Sequence, residues 1–134
     1  MLKAFSYLAP RAAVLDLKDE DFSRNPEFVE AMKADPLVAH AKGPAHTVAE
    51  MSRANERLTK TFAKMVMPVL IMHGTKDAVT VPHGSQVFYD HASSADKTLK
   101  LYEGHYHDLF NDEGREVVMR DLLEWVNTRV DAMA

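Results

Sequence analysis

Val69-Leu-Ile-Met-His-Gly-Thr-Lys-Asp77 opens with a continuous apolar run, entered through Pro68 and left through Gly74, and closes on a carboxylate. A short unbroken apolar run bounded by turn residues reads as a strand covered on both faces, and such strands belong to parallel sheets. A strand is therefore expected at about residues 68–73, with Asp77 in the loop at its carboxyl end.

Downstream, Pro82 to Ala92 reads as a helix with Val87 and Phe88 inward, and Thr98 to Tyr102 alternates as a second strand, about 98–102. Strand, helix and strand in this order predict a right-handed crossover with parallel strands. The second strand runs into Leu99-Lys-Leu-Tyr-Glu-Gly-His-Tyr-His107, so His107 also follows a strand end. A closing helix is expected over about 113–130, with Val118, Met119, Leu122, Trp125, Val126 and Val130 as its apolar stripe.

Upstream the character is helical. Asn25-Pro26-Glu27 places a capping side chain before a proline at the first helical position, with Phe28, Val29 and Met32 on one side. Asp35-Pro36 ends that helix, because the residue before a proline is steered out of the helical region. After the break at Lys42-Gly-Pro44, Thr47 is the expected cap of a second helix with Val48, Met51, Leu58 and Phe62 on one face. Two parallel strands are few for a free-standing sheet, since parallel sheets are covered on both faces and usually hold more strands.

Bulk properties narrow the function classes. At 134 residues the chain has the size of one domain. The net charge of -4 gives no reason to expect nucleic acid, and no basic stripe suggests a membrane surface. Cysteine is absent, which removes disulfides, thiolate nucleophiles and cysteine-ligated zinc. The longest apolar run, Met65 to Met72, is far short of the roughly 20 residues that cross a bilayer. Cytoplasm is the default compartment.

In open parallel sheets, catalytic groups collect at the carboxyl ends of the strands. Asp77 and His107 are both expected there, where a carboxylate would fix the imidazole tautomer and stabilise the imidazolium formed when the ring takes a proton from a nucleophile. The plain alternative makes Asp77 a turn residue and His107 a helix-entry residue. A metal pair of His105 and His107 with Asp108 is a further alternative, but no third and fourth ligands stand out.

The stretches Met67-Pro-Val-Leu-Ile-Met-His-Gly-Thr-Lys-Asp-Ala-Val-Thr-Val-Pro82 and Leu101-Tyr-Glu-Gly-His-Tyr-His-Asp-Leu109 resemble the C-terminal part of α/β-hydrolases of the monoacylglycerol lipase and lysophospholipase group, serine aminopeptidase S33-type enzymes. Ser23-Arg-Asn-Pro26 and Asp35-Pro-Leu37 resemble the later part of that family's helical cap, and the likeness runs over about residues 20 to 130. It implies an α/β fold with residues 1–46 as the C-terminal part of a cap and 47–134 as the last two core strands with their helices. It also implies Asp77 as the acid and His107 as the base of a Ser-Asp-His triad acting on an acyl ester or lipid, with no cofactor. Met32, Leu37, Val38 and Met51 are then candidates to line an acyl pocket.

The nucleophile is what does not match. The family places it in a Gly-x-Ser-x-Gly elbow upstream of the acid, and none of the serines at 6, 23, 52, 85, 93 and 94 has those glycines. Ser85, which follows the acid, is expected at a helix start. The elbow is therefore expected before Met1, on an N-terminal half that acts as a separate chain or a cleaved segment. A non-catalytic interaction module, or an α/β-hydrolase of other chemistry such as a peptidase, an epoxide hydrolase or an enzyme cleaving carbon–halogen bonds, remains open.

Overall fold

Two separate ladders of two strands each organise the chain. The computed structural model describes residues 2–131, so the first residue of the expected cap segment and the last three of the expected core segment lie outside the described residues.

Helix α1 (Leu2–Leu8) leads to strand β1 (Ala13–Leu15) and a tight turn at Asp19–Asp21. Helix α2 (Pro26–Ala34) starts as its sequence predicts: Asn25 Oδ1 accepts from the N–H of Glu27 at 3.0 Å, and Pro26 sits where no N–H is needed. It ends at Asp35, which Pro36 holds in an extended conformation. Strand β2 (Gly43–Pro44) pairs antiparallel with β1, Ala13 opposite Pro44 and Leu15 opposite Gly43.

Helix α3 (Ala45–Thr59) corrects two expectations. Thr47 is not its cap. The first-turn N–H groups of Ala45 and His46 are taken by the carbonyls of Ala12 (2.8 Å) and Pro10 (3.0 Å), so a backbone segment replaces a capping side chain. The packed face is not Met51 and Leu58, which are 60% and 58% exposed, but Ala45 and Ala49, both fully buried. Helix α1 lies against α3, and alanines let the two backbones come close.

The second half follows its expected order. Strand β3 (Val69–Gly74), helix α4 (Pro82–His91), strand β4 (Lys97–Tyr102) and helix α5 (Arg115–Asp131) succeed one another. The two strands are parallel and in even register, from Val69 opposite Lys97 to Gly74 opposite Tyr102. Their carboxyl ends are therefore level, and the loops carrying Asp77 and His107 leave from the same edge. Tyr102, Leu109 and Val118 form the buried core here, with Met72 packed against it.

Polar contacts fasten α5 to β4. Tyr102 donates to Asp121 Oδ2 at 3.0 Å, Trp125 Nε1 donates to Thr98 at 3.2 Å, and the Arg129 guanidinium pairs with Asp96 while stacking 3.6 Å over the Trp125 ring. Burial, with the Asp121 carboxylate beside it, raises the Tyr102 pKa, which keeps the hydroxyl a donor. The expected stripe on α5 is narrower than its sequence implies. Val118 is buried and Leu122 and Trp125 half-buried, but Met119, Val126 and Val130 are exposed, because only one flank of the helix meets the two-stranded sheet.

The surface is large for the mass. Size scaling gives about 7,100 Å² for a compact monomer of 15.1 kDa, whereas this chain exposes 9191 Å². Among the described residues no helix is long and apolar enough to cross a membrane.

Candidate active site

Gly74 brings the two loops together. A Cβ at this position would lie 2.3 Å from the His105 carbonyl oxygen and 2.4 Å from that of Tyr106, so only glycine lets the end of β3 approach the loop after β4. Thr75 N–H donates to Tyr102 O (2.9 Å), Lys76 N–H to His105 O (3.0 Å), and Gly104 N–H to Thr75 Oγ1 (2.8 Å). Gly104 itself turns with a φ of 76°. The result is a hydrogen-bonded platform under the two side chains.

Above it, Asp77 is saturated with donors. Its Oδ1 accepts from the N–H groups of Val79 and Thr80, each at 2.8 Å. Its Oδ2 accepts from the Thr80 hydroxyl (2.8 Å), His107 Nδ1 (2.8 Å) and His73 Nε2 (2.9 Å). The Asp77 side chain is only 2% exposed. Burial alone would raise its pKa, but the bonds from Thr80, His107 and Val79 outweigh that and hold the carboxyl below its ordinary value. Asp77 is a carboxylate at neutral pH.

That fixes the imidazole tautomers. A carboxylate oxygen only accepts, so His107 carries its proton on Nδ1 and leaves a lone pair on Nε2. The His107 side chain is 33% exposed, and Phe22 packs edge-on against the ring at 5.3 Å. By the same logic His73 carries its proton on Nε2, and its Nδ1 accepts from the Ser85 hydroxyl at 2.7 Å. An oriented imidazole with a free, accessible nitrogen is the arrangement that general-base chemistry needs.

A cavity of about 450 Å³ opens beside His107, walled by Phe22, Met72, Leu109 and Phe110. A second, of about 360 Å³, lies between residues 15 and 43 with Leu15, Leu17, Met32 and Val38 on its walls, and Phe22 borders both. Of the four residues expected to line an acyl pocket, Met32 and Val38 line this second cavity, whereas Leu37 and Met51 are exposed and do not.

The remaining candidates separate. His105 does not join His107: its ring packs 5.6 Å from Tyr102 with Nε2 buried and unpartnered. No group of three or more metal-ligating side chains lies together among the described residues. Ser85 sits inside α4 with its hydroxyl on His73, while the Ser6, Ser23 and Ser94 hydroxyls donate to backbone carbonyls. His73 and Thr80 bond Asp77, and Ser85 bonds His73, without having been singled out for that role from sequence. The Asp77-x-x-Thr80 spacing was a readable signal, because an Asp that caps the N–H groups two and three residues on is a local turn pattern.

Residues 1–114 match the family described as serine aminopeptidase, S33. The chain is 36% identical over 124 residues to a monoacylglycerol lipase of Mycolicibacterium smegmatis, covering 92% of this chain and 44% of that protein. It is 39% identical over 110 residues to a caffeoylshikimate esterase of Arabidopsis thaliana, covering 80% and 33%. It also superimposes with a TM-score of 0.78, at 25% identity, on a soluble variant of the monoglyceride lipase of Saccharomyces cerevisiae crystallised with a substrate analog, covering 95% of this chain and 47% of that one. The chain thus spans between a third and a half of the length of these relatives.

Proposed function

The chain belongs to the serine aminopeptidase S33 family of α/β-hydrolases, and from that premise we propose that it supplies the acid and the base of a carboxylic-ester hydrolase of the monoacylglycerol lipase type. The observation that carries the reading is the 2.8 Å bond from His107 Nδ1 to Asp77 Oδ2, on a ring that is partly exposed and lines a cavity.

In the proposed reaction a serine outside these 134 residues attacks the ester carbonyl as His107 Nε2 takes its proton. Asp77 stabilises the imidazolium that forms. The imidazolium then protonates the leaving alcohol, and the acyl-serine is hydrolysed by water activated at the same nitrogen. Residues 1–46 would form part of the cap over the acyl group, with Met32 and Val38 among its walls, and 47–134 part of the core. A serine-bearing N-terminal portion would also cover the exposed strand edges and apolar faces, which fits the excess surface.

One geometric feature favours a second reading. Ser85, His73 and Asp77 form their own hydroxyl–imidazole–carboxylate chain at 2.7 and 2.9 Å, which would make Ser85 the nucleophile. Short-chain p-nitrophenyl ester hydrolysis by the complete hydrolase separates the two. An activity abolished by His107→Ala and kept by Ser85→Ala supports the external serine. The reverse pattern supports Ser85, and activity only on a peptide or an epoxide overturns the ester reading.

A further inference from the structure

The base of a hydrolase must be held within a fraction of an ångström, yet His107 sits on a loop, the part of a fold least able to hold it. The peptide groups on either side of the ring are each tied down from elsewhere. Tyr106 N–H donates to Asp112 Oδ2 at 2.8 Å, and Asp108 N–H donates to the Phe22 carbonyl at 2.8 Å. These two anchors are themselves joined. Arg24 N–H donates to Asp112 Oδ1 at 2.7 Å, and Arg24 Nε and Nη2 reach the same carboxylate at 3.0 and 2.9 Å. Ser23 Oγ adds a bond to the Asn111 carbonyl at 2.9 Å.

We propose that Asp112 and Arg24 are positioning residues, a clamp that sets the His107 ring against Asp77 from a segment more than eighty residues upstream in sequence. The inference rests on His107 being the base. Asp77 is fixed separately, by its own turn and by the β3 platform, so the 2.8 Å contact between the two depends on both supports. Without the Asp112 carboxylate, Tyr106 N–H loses its acceptor, and the other flank of the ring is held by the Asp108 bonds to the Phe22 carbonyl and to the Asn111 side chain.

Stability alone gives a poor account of the arrangement. The Asp112 side chain is fully buried, and an apolar group of the same volume commonly stabilises a core as well as a buried ion pair does. What an apolar group lacks is direction. Two carboxylate oxygens with fixed lone pairs hold Tyr106 N–H and the Arg24 fork at once, and so transmit the position of residues 22–25 to the ring. Phe22, the first residue of this segment, also packs against the ring and borders both cavities. A displacement of the cap segment, as when a substrate enters, would therefore move the base.

The test uses the complete hydrolase with Arg24→Lys and Asp112→Asn, and His107→Ala as reference. Arg24→Lys keeps the charge and loses the fork. Both variants are expected to lower kcat on the order of 100-fold while KM stays within about twofold, and to shift and broaden the downfield proton resonance of His107 Nδ1–H. If Asp112→Asn does not fold, Arg24→Lys and Ser23→Ala carry the same readouts. Folded variants with unchanged kcat and an unchanged Nδ1–H resonance overturn the clamp. An undiminished rate in His107→Ala instead overturns the base assignment on which it rests.

Discussion

His107 Nδ1 and Asp77 Oδ2 stand 2.8 Å apart although thirty residues separate them in the chain. Parallel strands in even register and one glycine produce that approach, and each support can be removed singly.

Loss of the proposed acid or of the proposed base should cost most. His107→Ala and Asp77→Asn are each expected to reduce ester hydrolysis by the complete enzyme about 10³-fold or more. Asp77→Asn should do so with the fold intact: its Oδ1 can keep the Val79 and Thr80 N–H bonds, while the amide nitrogen, a donor, replaces the oxygen that accepts from His107 Nδ1. Steady-state rates on a short-chain ester, with circular dichroism as a fold control, check this. Rates within tenfold of the unaltered enzyme would contradict it.

Gly74→Ala should fail differently. Its methyl group meets two backbone carbonyls at 2.3 and 2.4 Å, which cannot turn away as side chains do. Destabilisation of about 3 kcal/mol or more is expected in urea unfolding, with the Asp77–His107 bond lost in whatever fraction folds.

His73→Leu removes one donor from Asp77 but leaves the Thr80 and Val79 bonds in place. A rate loss of about tenfold or less is expected, well short of that for Asp77→Asn. Ester kinetics of the two variants side by side measure the difference.

Acid stability follows from two carboxylates. Burial of Asp112, which alone raises its pKa, is outweighed by bonds from Arg24 and from the N–H groups of Tyr106, Arg24 and Glu113, so it is held down to about 2. Asp77 is lowered as well. Both folded values lie below the ordinary aspartate value of about 3.9, so the unfolded chain binds these protons first as pH falls. Their contribution is complete above about pH 5 and is lost progressively as the pH falls toward about 1. Urea midpoints measured across that window should fall, and Asp112→Asn should show a shallower fall from a lower plateau.

What could be read in the sequence was what local chemistry determines. Strands β3 and β4 announce themselves through apolar pattern and their glycine exits, and α2 through Asn25 and Pro26, whose capping needs only near neighbours. Helix α1 and the β1–β2 ladder are short and lack periodicity, and the ladder joins segments about thirty residues apart. Missing α1 in turn hid the packed face of α3, since Ala45 and Ala49 become a contact surface only when a helix lies on them. On α5 the apolar pattern is wider than the surface it meets, so pattern alone overstated burial. At the site, Asp77 and His107 stood out by their place after strands; Thr80 did not, although its spacing from Asp77 carried the signal. Asp112 could not, because its partner Arg24 lies 88 positions away and nothing in the intervening chain marks the pair.

In the proposed mechanism Asp77 and His107 activate a serine that is not among these 134 residues. A fluorophosphonate probe, which bonds covalently to an activated serine, followed by tandem mass spectrometry of the complete hydrolase tests it most directly. One adduct is expected, on a serine within Gly-x-Ser-x-Gly outside these 134 residues, and it should be lost in His107→Ala. An adduct on Ser85, or labelling that survives His107→Ala, would contradict it.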